Sequence, residues 1–495
     1  MEIVKKRLPI LLLLAIYVGY SLLSFRSFGI TNDEPEDYLL GSFLYTKIRA
    51  NDPVLERSFV IAEDGAINLA FYDRMYLAVL FALSGSINYQ TYHLLNLLFF
   101  SIILITAYEL LLKETKRPAL ALLGPLALLL TPRLFGDAAA NHKDIPFALS
   151  YFVAIAAIYF VGKKQSAEHL LVLGITFGIT QSLRSVGYSI YFIYLIWLLV
   201  QEKKPIWQRS IDSIAQISVV FCVGLLVHFV SLPYLAADPF SRFLELLTNA
   251  KSFPWDGPML FMGKLIHPTQ LPATYIPTWF LITTPIATTV LWLASIKLVL
   301  KSKLAQLLWL TLGINALILI VAQPTIYDGI RHLLFLLPLI AILACLSVVQ
   351  LLKGRWRWKK IAIGLILANT LLVLVQYLLL FPYQYTYFNE LVGYLPGANN
   401  RFELDYWGAS YKAAVETFNV QAEADKTYQL YFCGDPQQVK EYATFAYSLT
   451  TDISTADLLI CHRRGDNHQM IDSFAKKDGF SVERMGVPLT TVAWH

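Results

Sequence analysis

Apolar runs close to the ~20 residues that an α-helix needs to cross a bilayer recur from the N-terminus to about residue 381, separated by polar breaks. Eleven candidate transmembrane helices follow, at about 8–25, 92–112, 118–132, 145–162, 168–183, 187–200, 211–234, 276–298, 305–322, 332–352 and 361–381. The breaks alternate in chemistry. One set is basic: Lys5-Lys6-Arg7, KETKR at 113–117, Lys163-Lys164, EKK at 202–204, KSK at 301–303 and KGRWRWKK at 353–360. The other set is polar and often acidic or Pro-rich: 26–91, 133–144, a short turn at 184–186, 235–275 and 323–331. Cytoplasmic loops carry the excess of Lys and Arg, so the basic set is assigned to the cytoplasm. An odd number of spans then places the N-terminus in the cytoplasm and the C-terminal tail outside. Merging 168–183 with 187–200 across Arg184 would put KSK and KGRWRWKK outside, so the two are kept apart.

Three segments depart from this pattern. YDRMYLAVLFALSG (72–85) in the first outer loop is apolar, shorter than a span and flanked by charge, which predicts a helix lying in or re-entering the interface. The first apolar run follows Lys5-Lys6-Arg7 as a signal sequence would. No small-x-small cleavage site precedes the acids after it, so it is read as a retained first transmembrane helix. Beyond the last run, residues 382–495 turn polar. Short strand patterns (TYQLYFCG at 427–434, ADLLICHR at 456–463, and a strand pair within 480–494) alternate with helical ones (PQQVKEYATFAYSL and MIDSFAKK). This predicts a small extracytoplasmic α/β domain at 382–495 behind a polytopic α-helical membrane domain at 1–381.

Composition agrees with that reading. Hydrophobic residues make up 56% of the 495 and charged residues 15%, and mean hydropathy is +0.53. The net charge of +5 reflects basic helix ends rather than a nucleic-acid surface. No Gly-rich phosphate loop follows a strand in the tail, which argues against a nucleotide site there. Cys222 and Cys345 lie in apolar spans as inert residues. For Cys433 and Cys461, a disulfide and a pair of reduced, buried strand residues fit equally well.

The chemistry concentrates on the outer breaks. GITNDEPEDY (29–38) sets Asp33, Glu34, Glu36 and Asp37 directly after the first span. The plain reading is a helix start, with Thr31, Asn32 or Asp33 as N-cap and acids in the first turn. TPRLFGDAAANHKDIPFALSYF (131–152) brings Asp137, Asn141, His142, Lys143 and Asp144 to the same face, where Asp144 before Ile-Pro also suits a helix start. Arg184 stands almost alone between two apolar runs, a costly place unless it meets a cavity or a partner. PTIYDGIRHLLFLLP adds Tyr327, Asp328, Arg331 and His332. Two acidic loops tight against spans, beside cations able to hold phosphate, suit displacement at a sugar carbon with a carboxylate base and a phosphate leaving group.

These residues carry a resemblance. TNDEPEDYLLG, FGDAAANHKDIPFAL (its KDIPFA portion above all), YDGIRHLLFLLP and the segment 382–414 together resemble GT-C fold membrane glycosyltransferases. The nearest group is family 39-like, which holds the protein O-mannosyltransferases and aminoarabinose transferases. The resemblance implies an inverting hexosyl- or pentosyltransferase in the inner or plasma membrane, using a polyprenyl-phosphate sugar donor. The acceptor hydroxyl, on a protein, lipid or glycan, arrives from outside. It implies Asp33 as general base, Glu34 as its neighbour and Asp144 as the second-loop acid. Arg184, Arg331, His332 and Lys143 become the donor-phosphate cations. A divalent metal is left open, with Asp33, Asp137, Asp144 and His142 as candidate ligands. The tail does not resemble the β-trefoil insert of eukaryotic O-mannosyltransferases, which puts a protein acceptor in doubt. A transporter or flippase of lipid-linked sugars would also need outer arginines, but it usually shows internal repeats and none is visible. A membrane scaffold would explain the tail and not the two acidic loops.

Overall fold

The computed structural model describes residues 2–49, 75–162, 166–201, 205–232, 238–251, 255, 257–355, 357–465, 467–474 and 478–495. The expected basic breaks Lys163-Lys164 and 202–204, and the stretch 50–74 of the first outer loop, lie outside them. Among the described residues, seven helices are long and apolar enough to cross a membrane: Lys5–Ser27, Tyr89–Thr115, Asp144–Val161, Trp207–Ser231, Lys303–Ala322, Arg331–Lys353 and Lys359–Leu380. Leu365 and Leu378 on the last of these are 66% and 81% exposed, as side chains facing lipid tails are. The chain is an integral membrane protein.

The other four predicted runs are helical too. Pro118–Leu129, Ala167–Leu183 and Ser189–Gln201 are shorter. The run at 276–298 is not one straight rod: Tyr275–Thr283 and Ile286–Leu298 meet at 115°. Thr284 before Pro285 is extended, at φ −103° and ψ 136°, because a residue preceding proline is pushed out of the helical region. The split at Arg184 holds, since that residue is extended between the helix ending at Leu183 and the 3-10 turn Ser185–Tyr188.

The two ends of the bundle differ as the loop chemistry predicts. At one end Arg7 pairs with Glu109 at 2.6 Å. There too Glu114 accepts from Tyr159 at 2.5 Å and Ser302 at 2.7 Å. At the other end lie Asp33, Lys143, Asp144, Arg184 and Arg331, joined by ion pairs. The short apolar helix foreseen in the first outer loop runs over Met75–Ser84 and packs on Glu34–Arg49, where Tyr45 and Phe81 lie 5.4 Å apart.

The tail builds a five-stranded sheet. A hairpin of β1 (Met259–Phe261) and β2 (Lys264–Ile266) precedes it in the chain. The sheet consists of β3 (Thr427–Phe432), β4 (Ala446–Leu449), β5 (Leu458–His462), β6 (Asp478–Arg484) and β7 (Val487–Trp494), in the order β4-β3-β5-β7-β6. β3 runs parallel to β4 and β5, and β7 antiparallel to β5 and β6. Every residue of β5 is buried, as suits a strand covered on both faces. The expected helix over 436–449 stops after Pro436–Lys440, and its second half is edge strand β4. The alternating aromatics of TFAYSL pair with β3 instead of continuing the helix. Cys433 and Cys461 are joined as a disulfide.

Sheet and membrane helices share one buried apolar cluster. It runs from Ile10 through Tyr387 and Trp407 to Val492 in β7. The loop after the first span is threaded into this junction. Asn32 N–H donates to the Trp407 carbonyl at 3.0 Å, Ile30 N–H to the Tyr442 hydroxyl at 3.2 Å, and Gln438 to the Ile30 carbonyl at 2.6 Å. Gly29 has no room for a side chain, since a Cβ there would meet the Ala409 carbonyl oxygen at 2.1 Å.

Candidate active site at the acidic end of the bundle

The acid-rich helix starts at Glu34, with Glu34, Glu36 and Asp37 in its first turn. These three carboxylates and that of Asp33, just before the helix, then part company. Glu34 is sealed: one oxygen takes the Thr31 N–H and hydroxyl at 3.0 and 2.9 Å, the other lies 2.8 Å from His93 Nε2. Glu36 faces solvent. Asp33 and Asp37, four residues apart and so on one helical face, turn to the loop at 137–143. Lys143 Nζ reaches Asp37 at 2.5 Å and Asp33 at 3.3 Å, and His142 Nε2 lies 2.7 Å from Asp37. Sequence reasoning treated Asp37 as a bystander. Its spacing from Asp33 was the available signal.

Asp144 opens the helix Asp144–Val161 and is wrapped by donors. Arg184 pairs with one of its oxygens. Arg331 Nε holds the other at 3.0 Å, and Asn141 donates to that same oxygen at 3.1 Å. Arg331 is the hub, each arm of its guanidinium on a different acid: Nε on Asp144, Nη1 on Asp328 at 3.2 Å, Nη2 on Asp33 at 2.9 Å. The Trp407 ring lies 4.1 Å from the guanidinium carbon, a cation–π contact supplied by the tail. His332 sits beside this hub with its ring 4.4 Å from that of Tyr327, and no carboxylate pairs with it among the described contacts.

Four carboxylates (Asp33, Asp37, Asp144, Asp328) thus interlock with four cations (Lys143, Arg184, Arg331, Arg464). Three of the acids are 1–2% exposed, whereas the Asp33 side chain is 31% exposed. Burial alone would raise the Asp33 pKa, but Lys143 and Arg331 outweigh it and hold the carboxyl well below the usual range. Removing one partner from a buried pair strands the other at a cost of roughly 3–5 kcal/mol, so the sealed pairs are the costly ones to break, and Asp33 is the member open to solvent.

Of the metal candidates, Asp33, His142 and Asp144 are drawn into this network. Asp137 is not: it lies in a neighbouring cluster and accepts from the Tyr406 hydroxyl at 3.2 Å. Among the described residues, no group of three or more His, Cys, Asp or Glu side chains is placed to hold a metal ion. Sequence reasoning also missed Arg464, which reaches the site from the tail and carried no local signal of it, and gave no site role to Trp407 within the segment 382–414.

No family model matches this sequence, and neither does any curated protein. Solved structures do match it in shape. ArnT from Cupriavidus metallidurans bound to undecaprenyl phosphate superposes with a TM-score of 0.55 at 11% identity, covering 98% of this chain and 97% of that one. The same protein in the apo state gives 0.50 at 11% identity, with 99% and 98% covered. At that identity the likeness establishes fold, not residue roles. From the first span to the last strand, the chain has the GT-C fold of ArnT.

Proposed function

We propose that this protein is an inverting glycosyltransferase. It moves a sugar from a polyprenyl-phosphate donor to an acceptor hydroxyl at the outer face of the membrane. The observation that carries the reading is the meeting of Asp33 with Lys143 and Arg331, in a fold shared with a protein solved bound to undecaprenyl phosphate. The acidic end of the bundle faces outward, the N-terminus is cytoplasmic, and residues 382–495 form an extracytoplasmic domain over the site.

In the reaction the acceptor oxygen attacks the anomeric carbon and gives its proton to Asp33. The bond from that carbon to the phosphate oxygen breaks, its electron pair going to the phosphate. One displacement inverts the centre. General-base help of this kind is worth ~10²–10⁴-fold, and fixed cations beside the leaving group lower the barrier further. Lys143 and Arg331 bind the donor phosphate, supported by Arg184 and His332. Asp144 keeps Arg184 and Arg331 aimed, and Glu34 anchors the helix start through His93.

With four acids already matching four cations, an incoming phosphate must displace one acid, and the exposed one is Asp33. Clamped between Lys143 and Arg331, Asp33 is a weak base. Once the phosphate takes those cations, it becomes a stronger one. Donor binding therefore arms the catalyst.

The test is transfer from a polyprenyl-phosphate sugar by the full chain in liposomes, with binding of polyprenyl phosphate measured alongside. A wild-type protein that neither binds the lipid phosphate nor transfers sugar to any extracted envelope acceptor ends the reading. Orientation is checked by labelling single cysteines at Lys360 and Glu423, which should react from the cytoplasmic and outer sides respectively.

A further inference from the structure

The tail sheet sends one charged side chain into the network. Arg464, in the turn after β5, places Nη2 2.8 Å from Asp328 Oδ1, and the other oxygen of Asp328 takes Arg331 Nη1 at 3.2 Å. Asp328 is therefore a bridge, 1% exposed, between a tail cation and the hub of the site. A parallel contact runs through aromatics. Arg464 lies over Trp255 at 5.3 Å, Trp255 stacks on Tyr327 at 4.3 Å, and Tyr327 faces Arg331 at 5.5 Å.

Both ends of the bridge are fixed from elsewhere. Asp328 has a positive φ of 55° and precedes Gly329 at 70°, whose N–H donates to the Tyr275 hydroxyl at 3.1 Å. On the tail side, buried Glu403 accepts the N–H of Gly465 at 3.1 Å and that of Leu260 at 2.6 Å with the same oxygen. Gly465 packs so closely that a Cβ would stand 2.9 Å from the Pro258 carbonyl oxygen. The arginine thus projects from a turn that is strapped to the β1–β2 hairpin segment.

A phosphate replacing Asp33 takes over the Nη2 arm of Arg331, while Asp144 and Asp328 on the other two arms set the plane of the fork. A planar guanidinium rewards correct orientation more than a point charge does. The charge of Asp328 is divided between two cations. Without Arg464 it would fall wholly on Arg331 and draw the fork away from the phosphate. We propose that Arg464 is a positioning residue for the donor phosphate, contributed by the C-terminal domain and acting through Asp328 on Arg331. This rests on the reading that a lipid phosphate binds at Arg331.

The experiment measures binding of decaprenyl phosphate to the purified full chain, with donor KM and kcat alongside. Losing a charge-assisted contact predicts about tenfold weaker binding for Arg464→Met. Donor KM should rise with it, while kcat at saturating donor stays within about twofold. Arg464→Lys, which keeps the charge on Asp328, should recover most of the loss. In an Arg331→Ala background Arg464→Met should cost nothing more, because its route to the phosphate is gone. Arg464→Gln serves if Arg464→Met does not fold, and should fall between Lys and Met. Wild-type affinity in Arg464→Met or Arg464→Gln overturns the proposal, as does an undiminished loss in the Arg331→Ala background. Wild-type protein that fails to bind the lipid overturns the glycosyltransferase reading as well, so the two failures are told apart.

Discussion

Two buried polar clusters lie side by side at the acidic end, built from the same residue types and tuned in opposite directions. In the first, Asp33 pairs with Lys143 and Arg331 and is held ionised, with part of its surface open. In the second, Asp137 is 3% exposed, beside a small cavity of about 10 Å³, roughly one water. Burial raises the Asp137 pKa to about 6 even though Arg133 and the Tyr406 hydroxyl oppose it. Arg133 spends its contacts on the Tyr387 carbonyl at 3.3 Å and the rings of Phe388 and Trp279 at 5.0 and 5.5 Å. An arginine and an aspartate in a protein interior therefore say little about chemistry. What separates the clusters is an ionised acid with an open side, against an acid shut in to hold tail and helices together.

Breaking each acid should expose that contrast most sharply. Asp33→Asn is expected to lower turnover by ~10²-fold or more while binding polyprenyl phosphate at least as tightly as wild type, since a competing anion is gone. Asp137→Asn should leave turnover within a few-fold. Asp33→Asn protein that turns over normally would remove the base from the first cluster. The arginines come next. Arg331→Ala should weaken lipid-phosphate binding by more than tenfold and Arg331→Lys by less. Arg133→Ala should instead lower the unfolding temperature of the purified protein. If Arg133→Ala loses lipid affinity and keeps its unfolding temperature, the division between the clusters is wrong.

The pH dependence of stability sharpens the comparison further. Asp137 binds its proton more tightly folded than unfolded, so its contribution is full below its ordinary pKa of 3.8 and lost as pH rises through about 6. Asp33 runs the other way: its contribution is present above 3.8 and fades only in stronger acid. Thermal unfolding between pH 4 and 6.5 should show wild type losing stability relative to Asp137→Asn as pH rises, while the difference between wild type and Asp33→Asn stays nearly constant. The smallest effect belongs to Glu36, which faces solvent at the helix start. Glu36→Gln should change stability by a few tenths of a kcal/mol and activity not measurably.

How much of this could be read from the chain depends on how local each cause is. The apolar runs announce their helices because span length and hydropathy are local properties. The kink at Thr284-Pro285 is local as well, and Pro285 was its visible cause. Asp33, Lys143, Asp144, Arg184 and Arg331 could be collected because each sits tight against a span end on the same side. Whether an acid in that group would be open like Asp33 or sealed like Glu34 could not be read. The partner that seals Glu34, His93, is 59 residues away and looks like any helical residue. Arg464 lies 136 residues from Asp328 in a stretch with no pattern of its own.

The seating of the first loop sets a timetable for biosynthesis. Ile30 is gripped by Tyr442 and Gln438, 412 and 408 positions further along the chain. A nascent chain whose first helix is already inserted therefore still lacks the groups that seat the residues beside Asp33. They exist only after every later span has been made. A chain cut short before residue 438 would embed in the membrane with Ile30, and the turn that carries Asp33, unseated.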